Sequence, residues 1–182
     1  MDIMDAIAWR SSCRSFAANQ ISDSELKTII QAANAAPISM GKREDIELIV
    51  VQDRDFIDKM EASAAEFARN NMGVEMEHAA YGAPTVVIVA GRKHEGMLHT
   101  QAYLNTGCVM ENMLLAATSL GLGSVYLFAM AAALSQDEHL CRELTISEDF
   151  FPVSIMAVGT PTDVPQKREL TEENFNITYL NR

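Results

Sequence analysis

The chain is short of positive charge. It has 14 Lys+Arg against 25 Asp+Glu over 182 residues, a formal net charge of -11. An acidic surface repels phosphate backbones and anionic headgroups, which excludes nucleic acid and membrane as general partners. Cysteine is scarce too. Cys13, Cys108 and Cys141 are odd in number and far apart. They form no disulfide framework and no CxxC motif, and they fit a reducing, cytoplasmic setting. The histidines (His78, His94, His99, His139) lack HxxxH or HExxH spacing, so no metal site is expected. There is no GxSxG elbow and no GKS/GKT phosphate loop. Gly121-Leu-Gly123-Ser-Val-Tyr126 is GxGxxY, and it follows a helical pattern and precedes a strand-like one. That is the reverse of a dinucleotide-binding turn, so it reads as a helix cap. The opening Met-Asp-Ile-Met-Asp is acidic, which argues against a signal peptide.

What is present reads as one globular domain, or one domain plus an arm. Apolar residues make up 48%, aromatics 7% and charged residues 21%. Residues 113–136 carry no charge, yet Gly121, Gly123, Thr, Ser and Tyr interrupt the run. The segment therefore reads as the end of a buried helix, a glycine turn and a buried strand, not a membrane span.

Local signals place the elements. Asp2 caps a short helix, and Ser22-Asp-Ser-Glu25 is a capping box opening a helix that Pro37 stops. Residues 46–51 are a β-branched strand, and Asp53 caps a long helix bearing Phe56, Ile57, Met60, Ala64 and Phe67. Residues 70–82 are weakly patterned and read as broken helix and loop. The apolar run from Pro84 predicts a strand covered on both faces. The longest helix is expected over 98–120 with Gly121 as its C-cap, then a strand over 124–128. Ser135-Gln-Asp-Glu138 predicts a second capping box, and 151–158 a last core strand. Phe175–Leu180 alternates like a strand with no neighbour in sequence, so it is expected to dock elsewhere, as on a second subunit. This order gives a layered α/β or α+β domain.

The positive chemical signal is Arg10-Ser11-Ser12-Cys13-Arg14. Two guanidiniums and two hydroxyls at a helix exit match the fork geometry of a phosphate clamp. A solvated loop with two cations is the plainer alternative.

The pieces, taken in order, resemble the nitroreductase-like, FMN-dependent flavoprotein family in its short form. Ile7-Ala-Trp-Arg10-Ser-Ser12-Cys-Arg14-Ser-Phe16 is similar to that family's opening motif. The likeness continues through Ile21–Gly41, Ala83-Pro84-Thr-Val-Val-Ile-Val, Asn105-Thr-Gly107 to Ser124, and Ala157-Val-Gly159-Thr-Pro161. The resemblance implies a three-layer α-β-α (α+β) fold. It has a central mixed sheet with helices on both faces and a C-terminal strand exchanged between subunits. Residues 1–165 would form the FMN-binding domain and 166–182 a basic segment and dimer arm.

It also implies a homodimer with FMN at the interface, reduced by NAD(P)H in a ping-pong exchange with a nitro compound, quinone or similar acceptor. Arg10 and Ser12, with Ser11 beside them, would hold the phosphate, and Arg14 would lie at the ring's N1/O2 edge. Lys167 and Arg168 would complete the phosphate site. Pro37, Ile38 and Ser39 would meet the ring from the other subunit. Tyr126, Leu127, Phe128 and Ala129 would border its opposite region. No acid–base catalyst is implied, because the flavin carries the chemistry.

The chain departs from the family where N-x-Q-P-W is usual and Lys42-Arg43-Glu44-Asp45-Ile46 stands instead. Lys42 would donate to the ring, or the loop is restructured and solvated. This change motivates a second reading, an FMN-binding sensor or carrier without reductase activity.

Overall fold

The computed structural model describes residues 1–180. Ten elements succeed one another: α1 Ile3–Trp9, α2 Asp23–Asn34, β1 Ile46–Val51, α3 Arg54–Met72, β2 Thr85–Arg92, α4 His99–Ser119, β3 Gly123–Tyr126, α5 Phe128–Leu134, α6 Glu138–Glu143 and β4 Phe150–Gly159. The strands form one sheet in the order β1-β2-β4-β3, antiparallel at every step. The parallel component of the expected mixed sheet is a single bridge, Ser12 to Ser124, that lays the 12–16 segment beside β3.

Period-two alternation on the central strands builds the layers. Val86, Ile88 and Ala90 of β2 join Ile155 and Ala157 of β4 in one core with Ile57 and Met60 of α3 and Met130 and Leu134 of α5. Val87, Val89, Met156 and Val158 point the other way, onto Ile29 of α2 and Val109 and Met113 of α4. Burying each such side chain contributes about 1.5–3 kcal/mol. The sheet is therefore covered on both faces, as its unbroken apolar run predicts. Pro152 has no N–H to give the ladder, and the register shifts opposite it between Val89 and Ala90. None of the described helices is long and apolar enough to cross a membrane.

The local signals hold where the chemistry is local. Asp2, Ser22 with Glu25, and Asp53 cap their helices through side-chain hydrogen bonds. α4 ends in a Schellman turn. Gly121, at φ +78°, donates to the Thr118 carbonyl, and Leu122 donates to the Ala117 carbonyl.

α3 continues to Met72 and the rest of 70–82 is loop, in keeping with the broken helix and loop read there. Two expectations are corrected. β3 stops at Tyr126, and Phe128 opens a helix that the uniform apolarity of 127–134 concealed. The cap of α6 is Asp137, whose carboxylate accepts from the Leu140 N–H, not Ser135. Residues 175–180 form no strand in the single chain, and Phe175 is 84% exposed. The last two residues of the expected arm lie outside the described residues.

Candidate functional site

The segment after α1 is sewn to the far side of the sheet. Cys13 N–H donates to the Ser124 carbonyl at 3.0 Å, Ala17 N–H to Thr160 at 2.9 Å and Thr162 N–H to Ser15 at 3.1 Å. Extended backbone sends alternate side chains to opposite faces. Cys13 turns inward against Gly123, where a Cβ would lie 2.6 Å from the Cys13 sulfur. Ser12 and Arg14 stay exposed on the outer face, and Arg10 and Ser11 are half-buried. Among the described residues, Arg10 and Arg14 pair with no carboxylate. In a chain with so large an excess of acid, two unpaired guanidiniums next to a serine hydroxyl form a local anion site. A cavity of about 400 Å³ opens beside them, lined by Ser11, Ser12, Arg14 and the 163–166 loop.

The C-terminal basic pair reaches the same end of α1 but is engaged there. Arg168 donates from Nη2 to the Ile7 carbonyl and from its backbone N–H to Ala8, both at 2.9 Å. These are among the carbonyls that a helix C-terminus leaves unpaired. Lys167 Nζ lies 2.6 Å from Asp5 Oδ1. The hydrogen bond from Lys167, then its charge, holds the Asp5 carboxyl below its ordinary range. The same contact raises the Lys167 ammonium. Lys167 and Arg168 line a depression of about 500 Å³ with Asp5 and Ala8, separate from the cavity at Ser12 and Arg14.

Tyr126, Leu127, Phe128 and Ala129 straddle the end of β3 and the start of α5. Leu127 is buried and Ala129 half-buried, while Tyr126 and Phe128 are exposed and line a third, apolar hollow with Tyr103 and Met110. Burial of part of its ring pushes the Tyr126 phenol above its ordinary value, so it stays a donor at neutral pH.

The Pro37–Lys42 loop leaves α2 on the α4 side. Pro37 is exposed, and Ile38 and Ser39 are half-buried. Met40 and Gly41 both take left-handed backbone, at φ 54° and 68°. The charge run beyond it is not simply solvated. Arg43 donates to the Asn34 carbonyl, and Asp45 accepts from Arg92 at 2.9 Å and contacts His94 at 3.3 Å. Lys42 remains exposed, with no side-chain partner among the described residues.

Two further residues belong to this picture. Asn105, buried on α4, accepts the Ser39 N–H. Its signal in the sequence was a polar side chain on the core face of an apolar helix. Tyr81 places its ring under Arg14, at 6.0 Å from the guanidinium carbon, and no local pattern announces that contact.

The family model described as "Nitroreductase family" matches residues 7–160. A provisionally named NADH dehydrogenase/NAD(P)H nitroreductase of Archaeoglobus fulgidus is 30% identical over the whole of this chain and 97% of its own. The FMN reductase [NAD(P)H] of Bacillus subtilis is 24% identical, over all of this chain and 76% of its own. Among solved structures, the FMN-bound nitroreductase of Desulfitobacterium hafniense superposes with a TM-score of 0.84 at 24% identity, covering 99% of each chain. That of Bacteroides fragilis gives 0.80 at 23%, over 98% of this chain and 100% of its own. At these identities the structural likeness is one of fold.

Proposed function

The chain belongs to the nitroreductase family, and from that premise we propose that it is an FMN-dependent oxidoreductase carrying reducing equivalents from NAD(P)H to a small organic acceptor. The observation that carries this reading is that Arg10 and Arg14, neither paired with a carboxylate among the described residues, flank Ser12 in the segment bridged to β3, with Ser12 and Arg14 lining the cavity there. The donor set suits a flavin mononucleotide. Guanidiniums and a hydroxyl match a phosphate dianion, and the exposed rings of Tyr126 and Phe128 offer apolar surface for a planar ring.

Bound FMN would supply the redox chemistry of a ping-pong exchange between NAD(P)H and the acceptor. The protein's own groups bind and orient. Arg10 and Ser12, flanked by Ser11, hold the phosphate. Arg14 faces the ring's N1/O2 edge, where a cation stabilises negative charge. Lys167 and Arg168 join the phosphate site after giving up their present partners. Tyr126, Leu127, Phe128 and Ala129 border the ring. Pro37, Ile38, Ser39 and Lys42 come from the other subunit of a homodimer. Residues 1–165 are the flavin domain, and 166–182 are the basic segment and the arm that reaches the partner. The widely spaced cysteines suit a cytoplasmic location.

The test is optical. Protein purified without added cofactor is expected to be yellow, and NADH or NADPH to bleach its flavin spectrum. A colourless protein that refuses added FMN would refute the reading. A yellow protein that neither nicotinamide reduces would assign it to flavin sensing or carriage.

A further inference from the structure

Tyr81 carries backbone strain. Its backbone sits at φ +56°, left-handed, a region that a bulky side chain takes at a cost and glycine takes freely. Gly82 follows at φ +77°, so the turn already contains a glycine. The surroundings force the conformation. Glu61, only 7% exposed, accepts the Ala80 N–H at 2.8 Å through Oε1 and is neutralised through Oε2 by Arg54 Nη2 at 2.7 Å. Tyr81 N–H donates to His78, and Ala83 N–H to Ala80. A buried, compensated carboxylate thus pins the loop from beneath. Strain that persists under such constraint is a marker of function.

The ring held in this way lies under Arg14, its guanidinium carbon 6.0 Å from the ring centroid. No carboxylate among the described residues pairs with Arg14. An exposed arginine with no partner samples many rotamers, and a flat ring beneath it removes some of them. We propose that Tyr81 is a positioning residue of the flavin site, a platform that holds the Arg14 guanidinium where the reduced ring's negative charge develops. The proposal rests on the reading that Arg14 meets the flavin. It adds that a loop anchored by Glu61 sets Arg14's aim, and hence the balance between oxidised and reduced flavin.

The experiment uses the flavoprotein as purified, equilibrated with a redox dye at fixed potential, and reads the ratio of reduced to oxidised flavin. Tyr81→Asn removes the ring but tolerates left-handed backbone. It is expected to lower the ratio about two- to fivefold, the scale of an exposed cation–π contact. Tyr81→Phe keeps the ring and is expected to match the parent. In an Arg14→Ala background, Tyr81→Asn is expected to do nothing more, because the two act as a unit. Should Tyr81→Asn not fold, Arg14→Lys keeps the charge and loses the planar stack, and a lowered ratio is expected there too. Thermal melting of each variant supplies a readout apart from the flavin.

If Arg14→Ala lowers the ratio and both Tyr81→Asn and Arg14→Lys leave it unchanged, Tyr81 is no platform, while the reading of Arg14 stands. An effect of Tyr81→Asn that persists without Arg14 also overturns the proposal. If Arg14→Ala itself changes nothing, the reading of Arg14 fails and takes the proposal with it.

Discussion

The carboxamide oxygen of Asn105 accepts the backbone N–H of Ser39 at 3.0 Å, across 66 residues of sequence. Asn105 is buried on α4, and Ser39 opens the left-handed Met40–Gly41 turn. One side chain thus ties the loop proposed to meet the flavin to the helix at the centre of one core. Asn105→Ala leaves the Ser39 amide half-buried without its acceptor, which costs about 1–3 kcal/mol. Urea denaturation is expected to show a lower midpoint with an unchanged slope, since the loss is local. FMN affinity should fall with it, because the loop loses its tether.

Arg10 tests the phosphate clamp. Its backbone closes α1 and its side chain has no carboxylate to leave, so nothing competes with an incoming anion. Arg10→Ala is expected to weaken FMN binding by about 1.5–3 kcal/mol, the worth of a hydrogen bond to a charged group. Fluorescence of FMN released on dilution measures it. Unchanged release would mean that Arg10 is a solvated cation.

The sequence makes legible what local chemistry decides. The Ser22–Glu25 box, the Asp53 cap and the β2 run could be read because the partners lie within a few residues or the pattern repeats. α5 could not. Phe128–Leu134 is a run of small and apolar residues without a polar face, so neither period stands out beside the strand before it. The order of motifs led to the family, but not to how the basic residues are engaged. Arg10 and Arg14 come from a motif, whereas the Lys167–Asp5 pair, the Arg168 contacts with α1, the Asn105 tether and the Tyr81 platform join residues far apart in sequence. Such contacts depend on packing, which no spacing rule encodes.

In the proposed site, Asp5 competes with the phosphate for Lys167. Its carboxyl is held below the ordinary range by Lys167, so it is charged at neutral pH and keeps the ammonium engaged. The sign follows from the direction of each shift. The pair's contribution from Asp5 is present above the ordinary carboxylate value and is lost as pH falls through the lowered one. From Lys167 it is present below the ordinary lysine value and is lost as pH rises through the raised one. Asp5→Asn should therefore tighten FMN binding severalfold at neutral pH by freeing Lys167 and removing a like charge. The gain should shrink as salt rises, because both groups are solvent-exposed. Titration at low and high ionic strength checks both points.

Gly123 is a packing requirement rather than a turn. A Cβ there would meet the Cys13 sulfur at 2.6 Å and the Pro161 ring at 3.1 Å. Cys13 is the inward-facing residue between Ser12 and Arg14, so pushing it out displaces the clamp. Gly123→Ala is expected to cost about 1–3 kcal/mol of stability through overpacking. It should also weaken FMN binding, since Gly123 lines the same cavity as Ser12 and Arg14. Gly107→Ala, inside α4 with nothing within 4 Å of its Cβ position, is the control. It should melt no lower than the parent, since alanine favours the helix by about 0.5–1 kcal/mol.

The C-terminal arm carries the last prediction. Phe175 and Ile177 are each more than half exposed in the single chain. Apolar side chains at alternate positions, left in water, are what an extended segment presents before it pairs with an edge. On α4, Leu104 is 67% exposed and Tyr103 51%, its ring packed on His99 and Phe151. Among the described residues the arm contributes none to either core, so its removal should spare the fold of each subunit. Deleting residues 175–182 is expected to leave the far-ultraviolet circular dichroism nearly unchanged. If the proposed homodimer holds, it should shift toward monomer in sedimentation and, with Pro37–Ser39 and Lys42 no longer supplied by the other subunit, release FMN. A truncated chain that stays fully dimeric would show that α4 closes the interface without the arm.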